Sequence, residues 1–160
     1  NTTLLWAWQQ LAWIAVALWE AQSKEFRNYA HQTLVNAKVL ADEMLWYWYK
    51  LVTWWTDNHM IVMDFSDETF SGWDIEKVLD RVWISTSKST IPDDSNPPFN
   101  PSWLRIGMQA MTTRWVKEDD TKHIAKFIHE AIQNRDNEER LDIIHTEVIE
   151  FCKHFSIPSL

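Results

Sequence analysis

The clearest periodicity along the chain lies between residues 24 and 46. Phe26, Ala30, Thr33, Ala37, Leu40 and Met44 recur at helical spacing, while Lys24, Glu25, Arg27, Lys38, Asp42 and Glu43 fall mostly elsewhere on the wheel. The stretches "YKLVT" (49–53) and "HMIVMDF" (59–65) read as strands, with Asp57 and Asn58 suited to the turn between them. "SGWDIEKVLDRV" reads as a short helix capped by Ser71 or Gly72, and "ISTSKST" as a short strand rich in β-branched residues. "IPDDSNPPFNPS" holds four of the five prolines and reads as loop, and "WLRIGM" as a further strand. Two helices close the chain. One spans 118–133 with Ile124, Phe127, Ile128 and Ala131, the other 138–153 with Leu141, Ile144, Val148 and Phe151 along one face. The order helix, helix, strands, helix, strands, helix, helix predicts an α+β fold, a small mostly antiparallel sheet packed with helices and preceded by a long N-terminal helix.

The first nineteen residues, "NTTLLWAWQQLAWIAVALW", carry no charge, and Glu20 is the first. The length brushes the transmembrane range, roughly 17 to 25 residues. Gln9 and Gln10 interrupt the run, and no basic flank or cleavage site marks an export signal. A helix that is apolar all round is expected to be buried on most sides or against a partner, so no membrane span is expected. The reading is one domain over 1–160, with an apolar helix at 1–22 and the α+β body at 23–160.

Composition changes the picture in one respect. A 160-residue chain can bury a core without disulfides or metal. A net charge of −8 argues against unaided nucleic-acid binding, and the lone Cys152 forms no intrachain disulfide. The outliers are 12 tryptophans against 2 glycines. "WYWYKLVTWW" alone packs four tryptophans and two tyrosines into residues 46–55.

"YKLVT..TDNHMIVMDF", "ISTSKSTIP", "LRIG..AMTTR" and "EFCKHFSIP" occur in this order and spacing, and over about residues 15–158 the chain resembles the C-terminal small domain of serine hydroxymethyltransferase. The resemblance implies an aminotransferase-like small domain of a cytoplasmic pyridoxal-phosphate enzyme. It places the Schiff-base lysine and most cofactor contacts upstream, so no cofactor and no catalytic residue is expected in this chain. It implies that Arg105 matches the arginine that grips the substrate carboxylate through a bidentate pair. Folate contacts are implied around Lys88, where Ser87 and Ser89 stand in place of the family's asparagines. The family carries glycine where this chain has Trp48, Trp54, Trp55, Trp83, Trp103 and Trp115, "Gly-Thr-Pro" where it has Gly107, Met108 and Gln109, and "Pro-His-Asn-His" near "WAWQQL". Six such departures beside well-matched sequence read as engineering, a natural small domain with one surface rebuilt.

On that reading the tryptophans form a contact surface for a protein partner, an antibody included, or for a second copy of the chain, since indoles supply large buried area at interfaces. The candidates are Trp6, Trp8, Trp13, Trp19, Trp46, Trp48, Trp54, Trp55, Trp73, Trp83, Trp103 and Trp115. The alternative is a fragment that retains part of the substrate site, or an apolar pocket anchored by Arg105. His145, Cys152 and His154 do not converge as metal ligands, so no metal is expected, and His123 and His129 do not share a helix face well. Cys152 reads as core, and His59 as structural.

Overall fold

A computed structural model describes residues 2–90, 94 and 96–157, with side chains from residue 6 onward. The chain divides into two units, Asn1–Gln32 and Thr33–Leu160, with the division inside the second helix.

In the first unit, α1 (Thr2–Glu20) is helical over the uncharged run. Every described side chain from residue 6 to 20 is exposed, so within this chain the helix is not buried, and of the two expectations only burial against a partner is left open. The helix is apolar on all sides, so no single stripe directs it onto a neighbour. No described helix is long and apolar enough to cross a membrane. Ser23 opens α2 (Lys24–Trp46) by accepting a hydrogen bond from the Phe26 N–H at 3.0 Å. Phe26, the first residue of the helical periodicity, is half-exposed and rests near Tyr29.

In the second unit, α2 buries Thr33, Asn36, Ala37, Leu40, Ala41 and Met44. Three antiparallel strands follow: β1 (Met60–Asp64), β2 (Ser87–Ser89) and β3 (Trp103–Gly107), in the order β1-β3-β2. Alternation sends Ile61 and Met63 of β1, and Leu104 and Ile106 of β3, into the core. There they meet Leu40, Met44, Ile75, Leu79, Met108, Ile128, Ile132, Leu141 and Ile144. Those last residues come from α2, α3 (Gly72–Arg81), α5 (Glu118–Gln133), α6 (Glu138–Cys152) and the loop before a short helix α4 (Gln109–Thr113). Phe151 and Cys152 are half-buried at the core's edge.

Ser71, not Gly72, caps α3. Its hydroxyl accepts from the Asp74 N–H while the Asp74 carboxylate accepts from the Ser71 N–H. Gly72 is required for another reason: a Cβ there would run into the Trp103 carbonyl on β3. "YKLVT" is not a strand. Only Leu51 bridges, to Met63, before a 3-10 turn over Val52–Trp54. Thr53 and Trp54, at φ 63° and 65°, leave the extended region and end the pairing. In the proline-rich loop, positions 91–93 and 95 lie outside the described residues, as does the end of "EFCKHFSIP" from 158 onward. The rest of the loop is turn and bend, tied down by Asp94, which accepts from the Ser102 N–H and hydroxyl at 2.9 and 2.8 Å.

Candidate functional site

Arg105 sits on the central strand, opposite Val62 on β1 and Ser87 on β2. Its neighbours Leu104 and Ile106 point into the core, so alternation sends its guanidinium to the open face of the sheet. It is exposed and makes no ion pair among the described residues. It borders an open depression of about 410 Å³ lined by His59, Met60, Ser85, Thr86, Ser87, Gly107 and Gln109. The Thr86 hydroxyl is buried there without a hydrogen-bond partner. A buried hydroxyl in that state favours an incoming polar group.

The "TDNH" turn builds one wall. Asn58 accepts from the Met60 N–H at 3.0 Å through its side chain, and the Thr56 hydroxyl donates to the Met60 carbonyl at 2.5 Å. The His59 carbonyl accepts from the Met108 N–H at 3.0 Å, which fastens the turn to the end of β3. Gly107 leaves room for Gln109, whose side-chain oxygen would lie 2.5 Å from any Cβ at 107. Three hydroxyl residues, a histidine, an amide and one cation are a binding set for a small carboxylate.

The depression supplies neither a lysine nor a carboxylate, the two groups that a pyridoxal cofactor needs on its aldehyde and its ring nitrogen. The residues present do not fit that cofactor, and no step is derived through it. Among the described residues no group of three His, Cys, Asp or Glu side chains could hold a metal ion.

The structure scatters the tryptophans. None lines the Arg105 depression, and no two indoles pair among the described ring contacts. Trp46 meets Tyr47, Trp83 meets His145, Trp55 lies under Lys38, and Trp73 lies under Lys77 and Lys88. Trp48 and Trp54 are the most exposed, at 94% and 79%, and Trp115 stands free at 69%. Trp103 is half-buried with its indole N–H unpartnered. Trp6, Trp8, Trp13 and Trp19 all lie on the exposed α1.

A second cluster, which the sequence reading missed, lies around His129. The His129 ring stacks on Tyr47 at 4.0 Å and 6°, and its Nδ1 lies 3.0 Å from the Tyr49 hydroxyl. Burial holds His129 below the ordinary histidine value against the opposing pull of Glu130, and burial raises the Tyr49 phenol. The signal was present as two tyrosines flanking Trp48, but their partner is eighty residues away in sequence.

Fold and depression together define a small α+β domain that presents one guanidinium among hydroxyls on the open face of a three-stranded sheet. The sequence profile of the serine hydroxymethyltransferase family matches residues 8–128, and the chain belongs to that family of pyridoxal-phosphate-dependent transferases. The match starts inside α1 and ends on α5, so α6 lies beyond it.

Proposed function

We propose that the chain is the carboxylate-anchoring small domain of a serine hydroxymethyltransferase. Arg105 grips the carboxylate of the amino-acid substrate, the Thr86 hydroxyl takes a further polar group, and the bond-making chemistry belongs to a cofactor held by other parts of the enzyme. The chain alone is catalytically silent on this reading. The observation that carries it is an exposed guanidinium, without an ion pair among the described residues, on the central strand of the sheet and beside an unsatisfied hydroxyl.

The test joins or co-expresses the chain with a cofactor-binding domain of its family and compares Arg105→Ala with Arg105→Lys. Loss of a bidentate charged contact, roughly 1.5–3 kcal/mol, should raise KM for serine by about ten- to a hundredfold, with lysine restoring part of it. An unchanged KM in a folded variant contradicts the assignment.

A second reading is an engineered scaffold whose tryptophans form a contact surface for another protein or another copy of the chain. The exposure of Trp46, Trp48, Trp54, Trp83 and Trp115 favours it, because indoles without cover call for a partner. Light scattering across a dilution series, with tryptophan emission read on the same samples, tests it. A dimer whose emission reddens on dissociation supports the contact, and a monomer at all concentrations contradicts self-association.

A further inference from the structure

Three helices end in the same way, and in each the decisive residue is tryptophan. After α2, the Tyr49 N–H reaches back to the Met44 carbonyl at 3.0 Å and the Trp48 N–H to Leu45 at 2.9 Å. After α3, Ile84 reaches Leu79 at 2.9 Å and Trp83 reaches Asp80 at 3.0 Å. After α4, Val116 reaches Met111 at 3.2 Å and Trp115 reaches Thr112 at 3.0 Å. Each is a Schellman closure, with an apolar pair across it: Tyr49 with Met44, Ile84 with Leu79, and Val116 with Met111. Its pivot is the left-handed residue, and glycine is the usual occupant because it has no Cβ to strike the neighbouring carbonyl. Here the pivots are Trp48, Trp83 and Trp115, at φ 67°, 64° and 70°.

A fourth tryptophan repeats the pattern outside a helix end. Trp54 closes the turn from Leu51 at φ 65°. Of the five left-handed residues among the described ones, four are tryptophan and none is glycine. The two glycines the chain does have lie elsewhere, at right-handed or extended positions. The indoles on these pivots gain little from packing, since Trp48, Trp54, Trp83 and Trp115 are all at least 69% exposed. A backbone that needs glycine and a side chain with nowhere to go is the signature of a glycine position with the wrong residue on it.

We infer that these four positions, and with them all twelve tryptophan positions, are glycine in the working protein, because the codon behind them is a UGA that the cell reads as glycine. UGA differs from the glycine triplet GGA in one base, and different genetic codes assign it to stop, to tryptophan or to glycine. One reassigned triplet accounts at once for the excess of one residue and the deficit of the other. Glycine at all twelve positions brings its share of the chain to about 9%, beside an average of roughly 7%. It relieves the unpartnered Trp103 indole, and it removes the exposed indole surface without any partner. This inference stands apart from the Arg105 assignment, since neither Arg105 nor the residues around its depression are tryptophan.

The test reads the gene and the native protein. TGA at positions 48, 54, 83 and 115 and at the other eight is expected, and TGG at the four pivots overturns the inference. In protein isolated from the source cells, the tryptic peptide 82–88 should be lighter than its tryptophan form by one indolylmethylene, and the chain's emission should be that of tyrosine alone. A peptide at the tryptophan mass overturns the inference even where the codon is TGA.

Discussion

Tryptophan in the left-handed region carries a steric cost of roughly 1–2 kcal/mol per residue, because its Cβ crowds the carbonyl oxygen. Glycine removes that cost and returns part of it through a more flexible unfolded chain, roughly 0.5–1 kcal/mol. Trp48→Gly and Trp115→Gly should therefore stabilise the domain by up to about 1 kcal/mol each, whereas alanine keeps the Cβ and gains less. Trp83→Gly should gain less than these two, because it gives up the edge contact with His145. Denaturant midpoints of the glycine and alanine series check this. Asn36 shows the opposite case, a polar side chain fully buried and satisfied. It donates to the Thr112 hydroxyl at 3.0 Å and the Val116 carbonyl at 2.9 Å, which ties α2 to the closure after α4. Asn36→Leu leaves that carbonyl unpaired and should cost roughly 1–3 kcal/mol. No alternation or spacing in the sequence marks Asn36 as core, since a lone asparagine on a helix reads as surface.

At the scale of elements, α2, α5 and α6 were legible from their helical period, the strand at 103–107 from its alternation, α1 as an uncharged run of helix length, and the strand at 60–64 as an apolar run of strand length. The stretch at 49–53 was misread: its alternation is that of a strand, but the left-handed pair at 53–54 turns the chain away. Five-residue α4 is too short to show a helical period. The cap before α3 was readable from the sequence only as Ser71 or Gly72, and Ser71→Ala should cost about 1 kcal/mol in thermal or denaturant unfolding. Lys50 and Asp64 pin the bridge at Leu51 to β1, with their charged atoms 2.9 Å apart, and Lys50 also reaches Asp67 at 2.9 Å. Burial would raise the Asp64 carboxyl, but hydrogen bonds from Ser66 and Lys50 outweigh it and leave the group below its ordinary value. A depressed carboxylate contributes stability above the ordinary carboxylate range and loses it as pH falls through the folded value. Lys50 is pushed up to about 12 by Asp64 and Asp67, so its share persists below the ordinary lysine range and is lost as pH rises through about 12. Urea unfolding between neutral and acid pH should show Asp64→Asn flattening the acid limb.

At the scale of the molecule, the class of fold was legible from the order of elements, and membership of the family from motifs in register. Arg105 was not legible from residues alone: an arginine on a short strand reads as a surface charge until the sheet shows it central, open and beside the unpaired Thr86 hydroxyl. His59 joined it only because the turn at 56–59 folds against the end of β3. The core of the second unit follows ordinary packing rules. Leu40→Ala, at a fully buried position among α2 residues, should cost about 2–5 kcal/mol.

The central claim is that this is a hydroxymethyltransferase small domain whose four left-handed tryptophan positions belong to glycine. It is met most directly by two quadruple variants at positions 48, 54, 83 and 115, one with glycine at all four and one with alanine, unfolded in urea beside the parent chain. The account predicts the glycine variant to be the most stable of the three, its midpoint clearly above the parent's and above the alanine variant's. A glycine variant that unfolds before the parent would contradict it, because the indoles would then be holding the fold together rather than straining it.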